Sequence, residues 1–161
     1  EVCREEAMDV ARKAVHAFNA YGMLCIELFV TKDQHVLVNE LAPRPHNSGH
    51  YTIEGCVTSQ YENHIRAILG LPLGSTELIR PTVMKNIIGN VNKKACAMVK
   101  RSVYEEVHGL EEAYKYPEVK IHIYGKEECR VGRKMGHITV TDKTIEDALF
   151  KARYAHSKIK F

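Results

Sequence analysis

The chain has 161 residues, of which 45% are hydrophobic and 27% charged, and its formal net charge is +3 with nine histidines left uncounted. This composition is typical of a soluble globular protein with room for one ordinary domain or two small ones. The mild positive charge gives no footprint for DNA or RNA binding, although it suits anionic small substrates. No apolar run approaches the roughly 18 residues that a membrane-spanning helix needs.

The N-terminus and the cysteines indicate whether the chain is a fragment and in which redox compartment it lies. The sequence starts without Met, inside a charged amphipathic pattern that differs from a secretory signal. We therefore expect a piece of a longer chain whose N-terminal portion is missing. The five cysteines are odd in number and widely spaced, and no C-x-x-C occurs. This disfavours a disulfide framework or a zinc site and predicts reduced thiols in a cytoplasmic compartment.

Hydrophobic periodicity predicts the elements of the first half of the chain. Residues 5–18 have helical spacing, and two strand-like runs at 24–30 and 36–41 predict an antiparallel hairpin whose loop is residues 32–35. Two prolines, an Asn and a Gly make residues 43–50 an ordered loop rather than regular structure. A second helix is predicted over residues 58–69, with four apolar side chains on one face: Tyr61, Ile65, Ile68 and Leu69.

The character of the sequence changes near residues 71–80, where we place a soft domain boundary. Strands are predicted over residues 82–88, 119–124 and 137–141, with a short helix around residues 104–107. A longer helix follows Thr144, a plausible N-cap. Four of its residues are predicted to face a core: Ile145, Ala148, Leu149 and Ala152.

The hairpin places two carboxylates opposite each other. If the loop is residues 32–35, Thr31 faces Val36 and Glu27 lies directly opposite Glu40. Side chains at such positions have Cβ atoms about 4.5–5.5 Å apart, so two like charges destabilise the sheet unless something compensates them. A divalent cation such as Mg²⁺ would do so, with Asn39 nearby as an oxygen ligand or nucleotide contact. The alternatives are that one or both glutamates face solvent or that a Lys or Arg pairs them.

The loop after Glu40 concentrates hydrogen-bond donors. Arg44 offers a planar fork, and His46, Asn47 and Ser48 add further polar groups. Such a cluster suits a small anion such as bicarbonate, carboxyphosphate or phosphate. An ordinary turn that satisfies its own backbone explains the same composition. A zinc site at His46 and His50 is less favoured, because Ser48 and Gly49 argue against a helix there.

A second basic cluster lies in residues 124–137, where a Gly-containing turn carries Lys126 and Arg133. Two strand ends flanking such a turn could hold a phosphate. On composition alone a solvated hairpin turn is favoured.

Three segments together resemble the second half of the 5-(carboxyamino)imidazole ribonucleotide synthase family, which also occurs as a module of the fused phosphoribosylaminoimidazole carboxylase of fungi and plants. These segments read ELFV, VNELAPRPHNSGHYTIEGCVTSQYENHIRAILGLPLGSTEL and YGKEECRVGRKMGHITVT. The resemblance covers nearly the whole chain. It implies an α+β protein, with the C-terminal half of an ATP-grasp domain at residues 1–73 and a small α/β C-terminal domain at residues 74–161.

The resemblance also implies an activity: ATP activates bicarbonate as carboxyphosphate, which carboxylates the amine of 5-aminoimidazole ribonucleotide. The implied cofactors are ATP and Mg²⁺, and the implied assembly is a homodimer. Glu27 and Glu40 then look like the Mg²⁺ ligands, with Asn39 and Glu40 beside the nucleotide phosphates. The loop looks like the bicarbonate site, formed by Arg44, His46, Asn47 and Ser48. The basic turn looks like a clamp on the ribonucleotide phosphate, formed by Lys126 and Arg133.

Two other functions are compatible with the sequence. One is a different ATP-grasp enzyme, such as a formate-using glycinamide ribonucleotide transformylase or a biotin carboxylase, although a biotin enzyme needs no phosphate clamp at Lys126 and Arg133. The other is a non-catalytic scaffold. The adenine-contacting part of the ATP-grasp domain is not in these residues, so we expect the isolated chain to be inactive.

Overall fold

The computed structural model of the protein describes residues 2–90, 93–94 and 107–160. The mixture of helices and strands expected for an α+β protein is confirmed. No helix within these described ranges is long and apolar enough to cross a membrane.

The chain forms two compact units. The first consists of Glu1–Ile53 and Val57–Glu77, and the second of Leu78–Phe161 together with the short segment Glu54–Cys56. The elements up to residue 68 are α1 (Val2–Ala17), β1 (Cys25–Val30), β2 (Val36–Ala42), a 3₁₀ turn (Asn47–Gly49), α2 (Thr52–Gly55) and α3 (Gln60–Ile68). The loop predicted over residues 43–50 therefore contains one helical turn that the sequence did not indicate.

The hairpin β1–β2 differs from the prediction at its tip. The loop has five residues, because β1 ends at Val30 and β2 starts at Val36, and these two residues face each other. The predicted pairing of Thr31 with Val36 is therefore wrong. The register then shifts by one residue between Glu27 and Leu28, a β-bulge in which Asn39 is the extra residue. Beyond it the predicted register is restored.

Helix α3 begins where its cap directs it. The Ser59 side chain accepts a hydrogen bond from the backbone N–H of Glu62, which satisfies one of the free donors of the first turn. The helix buries Gln60 and Asn63 and leaves its apolar face exposed. That exposed face consists of Tyr61, Ile65, Ile68 and, just beyond the helix end, Leu69.

The second unit is built on a three-stranded antiparallel sheet with β7 in the centre, in the order β3-β7-β5. Strand β3 has the predicted bounds, whereas β7 begins three residues before the predicted start. Its elements in chain order are β3 (Thr82–Ile88), β4 (Lys93–Lys94), α4 (Leu110–Ala113), β5 (Val119–Ile123), β6 (Glu128–Cys129), β7 (Lys134–Thr141) and α5 (Ile145–Lys158).

Helix α5 covers one face of this sheet. Thr144 is its N-cap, as predicted, since its side chain accepts from the backbone N–H of Asp147. The core beneath α5 includes Ala148 and Ala152, which are fully buried. The prediction that Ile145 and Leu149 also face the core is wrong, because their side chains are 47% and 37% exposed. Alanines line the contact because only small side chains let the helix lie this close to the strands.

Two predictions fall outside the described residues. The helix expected around residues 104–107 lies there except for Val107, which is not helical, and Cys96 lies there as well. Each of the other four cysteines is a free thiol: Cys3, Cys25, Cys56 and Cys129.

Candidate functional site

The carboxylates of Glu27 and Glu40 belong to a directly opposed pair of the hairpin. The bulge also brings Asn39 close, and its amide Nδ2 donates to Glu27 Oε2 at 3.5 Å. Within the described residues neither glutamate forms an ion pair with a Lys or Arg, so the alternative that such a residue neutralises the pair finds no support there. Two opposed carboxylates with an amide beside them form a donor set that fits a hard divalent cation.

His46 connects the following loop to this pair. Its Nε2 lies 3.5 Å from Glu27 Oε1, and its ring is mostly buried. Its Nδ1 accepts a hydrogen bond from the backbone N–H of Ser48 at 3.3 Å, and the Ser48 hydroxyl lies 2.8 Å from the same nitrogen. Because Nδ1 is an acceptor, the neutral imidazole carries its proton on Nε2, directed at Glu27. The loop therefore supplies an oriented donor at the carboxylate pair.

Gln60 fixes the position of His46. Its buried side-chain amide accepts from the His46 backbone N–H at 3.0 Å and donates to the His46 carbonyl at 2.8 Å. Gly49 permits this close approach, since a Cβ at that position would lie 2.5 Å from Gln60 Oε1. The Gln60 side chain, on α3, thus forms with the backbone of His46 the two hydrogen bonds that a neighbouring strand would otherwise form.

The amide of Gln60 also reaches His50, whose Nδ1 lies 2.9 Å from Nε2 of Gln60 and 3.1 Å from the hydroxyl of Tyr61. The rings of His50 and Tyr61 stack with centroids 5.7 Å apart. His50 is therefore held in the packing of α3. Across the described part of the chain there is no group of three or more His, Cys, Asp or Glu side chains that could hold a metal.

Arg44 lies near the start of the loop, and Asn47 lies in its middle. Arg44 is exposed, and its guanidinium donates to the neighbouring carbonyl of Pro45 at 3.1 Å. Asn47 opens the 3₁₀ turn, and its carbonyl accepts from the N–H of His50. Of the four loop residues predicted from sequence, the structure brings His46 and Ser48 into direct contact, whereas the contact described for the Arg44 guanidinium is with Pro45.

The basic turn of the second unit is anchored through its backbone. The N–H of Gly89 donates to the carbonyl of Arg133, and the N–H of Gly132 donates back to the carbonyl of Gly89. The guanidinium of Arg133 donates to the carbonyl of Glu128 at 3.1 Å, and the ammonium of Lys126 donates to the carbonyl of Lys134 at 2.6 Å. Both predicted cations are thus held to the backbone of one turn.

Lys126 lies in a strongly positive setting. Burial lowers the pKa of Lys126 first, and the charges of Arg133 and Lys134 lower it further. Both effects disfavour the protonated ammonium, and a bound anion would relieve the repulsion among the three cations. Lys126, Arg133 and Lys134 therefore lie close enough on this turn for their charges to repel one another.

Sequence reasoning did not find the supporting residues. Gln60 was assigned only to the start of a helix, because an apolar stripe on one face of α3 predicts that the polar face is exposed, whereas the structure buries Gln60 and Asn63. Glu54 and His122, which pair at 2.7 Å in the second unit, had no sequence signal at all, because 68 residues separate them.

Comparison with known proteins gives two family matches. Residues 1–61 match the ATP-grasp domain, and residues 82–151 match the phosphoribosylaminoimidazole carboxylase C-terminal domain. The N5-carboxyaminoimidazole ribonucleotide synthase of Bacillus subtilis is 49% identical over 136 residues, which are 84% of this chain and 32% of that protein. The chain therefore spans about a third of the length of this curated relative.

Solved structures give the same result. The crystal structure of N5-carboxyaminoimidazole ribonucleotide synthetase from Thermotoga maritima has a TM-score of 0.82 and 49% identity, covering 99% of this chain and 42% of that one. The Aspergillus clavatus enzyme in complex with ADP and 5-aminoimidazole ribonucleotide has a TM-score of 0.77 and 40% identity, covering 95% of this chain and 39% of that one.

Proposed function

Because this chain belongs to the N5-carboxyaminoimidazole ribonucleotide synthase family and corresponds to the C-terminal part of its members, we propose that the complete protein uses ATP and bicarbonate to carboxylate 5-aminoimidazole ribonucleotide. The observation that carries the proposal is the opposition of Glu27 and Glu40 on the hairpin. The relative solved with ADP and 5-aminoimidazole ribonucleotide supports the choice of substrates.

Glu27 and Glu40 would hold Mg²⁺, with Asn39 beside them as a contact to the nucleotide. When bound, the ion neutralises charge on phosphate oxygens during phosphoryl transfer. The chain contributes the strand pair that sets the two carboxylates opposite each other, and Nε2 of His46, 3.5 Å from Glu27 Oε1, would help to orient Glu27. The proposed reaction needs no covalent protein nucleophile, so it assigns no catalytic role to a cysteine.

The loop would bind the carboxylate-like acceptor. The Arg44 guanidinium has five N–H donors, of which the hydrogen bond to Pro45 uses one, and its planar shape suits the two oxygens of bicarbonate. Asn47 and Ser48 add neutral donors. Holding the anion in one orientation converts the encounter with the nucleotide into an intramolecular step.

Lys126 and Arg133 would hold the phosphate of the ribonucleotide. Their tethering to the carbonyls of Lys134 and Glu128 supports this role, because cations fixed before binding need little further ordering when the dianion arrives.

The test is ADP release by the complete protein with and without 5-aminoimidazole ribonucleotide and bicarbonate. Glu40→Gln is expected to lower the ribonucleotide-dependent rate about 100-fold or more, because it loses several kcal/mol of charge stabilisation. Glu77→Gln, at an exposed carboxylate outside the hairpin, is the matched control and should leave the rate unchanged. An ATPase that ignores the ribonucleotide, or full activity of Glu40→Gln, would contradict the proposal. The isolated chain is expected to be inactive.

A further inference from the structure

A line of contacting side chains runs through the second unit on the sheet face that turns away from α5. Tyr124 places its hydroxyl 2.9 Å from Nδ1 of His137, which lies on the central strand and is almost fully buried. His137 stacks on His122, its direct partner across β5 and β7, with centroids 4.4 Å apart and planes 12° from parallel. His122 in turn places Nε2 2.7 Å from Glu54 Oε1.

The line ends at Lys126. The ammonium of Lys126 lies 5.5 Å from the centroid of the Tyr124 ring, a cation–π contact. The positive neighbours Arg133 and Lys134 repel this ammonium. Without restraint it would swing into solvent, since a lysine side chain is flexible. Two features oppose that motion: the carbonyl of Lys134, and the face of Tyr124, whose ring orientation is fixed through its hydroxyl.

The histidine stack explains how the Tyr124 ring is held. Glu54 is a mostly buried carboxylate, and its short contact favours the proton on His122 Nε2. The stacked ring of His122 fixes the plane of the His137 ring. His137 Nδ1 is thereby held within hydrogen-bonding distance of the Tyr124 hydroxyl, at 2.9 Å.

We propose that Tyr124 and His137 are positioning residues for Lys126, holding its ammonium in place to receive the phosphate of a ribonucleotide. The proposal rests on the proposed function, in which Lys126 binds that phosphate. Neither Tyr124 nor His137 touches the substrate in this arrangement; they act by keeping the cation beside Arg133 against electrostatic repulsion.

The experiment measures binding of ribose 5-phosphate to the complete protein by calorimetry, together with ¹⁵N NMR of the histidine rings. Tyr124→Phe keeps the ring beneath Lys126 and removes only the hydroxyl. We expect it to weaken binding about 3- to 10-fold, the usual effect of one hydrogen bond. The ring nitrogens of His137 should shift on ligand binding in the parent protein, and this response should be absent in Tyr124→Phe.

Three further variants make the outcome decisive. Tyr154→Phe is the matched control, because Tyr154 also lies under a lysine, Lys158, but on α5, and it should bind normally. His137→Asn, which keeps a polar atom near the position of Nδ1, should bind more tightly than His137→Ala. If Lys126→Met abolishes binding while Tyr124→Phe binds like the parent and His137 still responds, the positioning role is overturned and the proposed function stands. If Lys126→Met binds like the parent, the phosphate-binding role of Lys126 and the positioning role of Tyr124 and His137 are both overturned, whereas carboxylation is judged separately by Glu40→Gln.

Discussion

Glu27 and Glu40 face each other across a hairpin. The strands pair in one register at these two residues and in another near the hairpin tip. From Val30 to Leu28 the pairing is one residue out of step with the pairing of Glu27 and Glu40, and the bulge at Asn39 absorbs the difference. A bulge leaves one residue unpaired, redirects its side chain and shifts the register of the strands by one residue. Here the bulge sets the Asn39 amide beside the carboxylates of Glu27 and Glu40. In a regular ladder the Asn39 side chain would point to the opposite face of the hairpin from Glu40.

His46 should matter to metal binding although it is not a proposed ligand. Removing the imidazole by His46→Ala leaves Glu27 without its oriented donor and is expected to lower Mn²⁺ affinity about 10- to 100-fold, the usual effect of losing a residue that orients a ligand. Free Mn²⁺ measured by electron paramagnetic resonance in the presence of ADP reports this. His35→Ala, at an exposed residue of the hairpin loop, should bind normally. Unchanged affinity of His46→Ala would remove His46 from the site.

Gln60 should be required for loop stability. Gln60→Ala leaves the backbone N–H and carbonyl of His46 without their partner, and an unsatisfied buried group costs about 1–3 kcal/mol. The free energy of unfolding in urea should fall by about that amount. Glu62→Ala, on the exposed side of the same helix, loses only a surface ion pair with Arg66, worth about 0–1 kcal/mol. Equal effects of the two variants would argue that the amide clamp adds no stability.

Lys151 should make the second unit sensitive to both acid and alkali. Its ammonium lies 2.7 Å from Asp142 and 2.8 Å from Glu118. Hydrogen bonding to Lys151 lowers the pKa of both carboxyls, whereas Asp142 and then Glu118 raise the pKa of Lys151 to about 12. The carboxyls therefore contribute stability above their unfolded pKa, near 4, that is lost as pH falls. Lys151 contributes stability below its unfolded pKa, near 10.5, that is lost as pH rises toward 12.

His156, like the carboxyls of Asp142 and Glu118, is expected to lower the stability of the second unit as the pH falls. Burial and then the charge of Lys85 lower the pKa of His156, so its contribution is present above about pH 6.5 and is lost on acidification. Urea midpoints measured from pH 3 to pH 8 should decline on the acid side, and less steeply in Lys151→Met. Arg153→Met, at an exposed position of α5, should keep the parent profile. Identical profiles for Lys151→Met and the parent would refute this account.

Ala152 should resist enlargement. It is completely buried where α5 meets the sheet, and a larger side chain there forces the helix away from the strands at a cost of about 1–3 kcal/mol. Ala152→Leu should therefore lower the melting temperature, whereas Arg153→Leu, one residue along and exposed, should change the unfolding free energy by less than about 0.5 kcal/mol. A tolerated Ala152→Leu would mean that this contact is looser than the structure describes.

The elements with strong local signals were predictable. Strand β3 has the expected bounds, and Thr144 caps α5, because a run of β-branched and other apolar residues and a capping hydroxyl depend on neighbours in sequence alone. The orientation of α5 was not predictable in the same way. Ile145 and Leu149 share a helical face with Ala148, but how closely a helix approaches a sheet decides which of them is buried.

The sequence by itself determined that two glutamates lie within paired strands and that a donor-rich loop and a basic turn follow strands, because these are properties of residue type and spacing. Only the tertiary structure decided what holds them. Gln60 grips His46 from another helix, and Glu54 meets His122 across 68 residues of chain. Such contacts depend on how elements distant in sequence pack together, and local helix and strand propensities do not determine that packing.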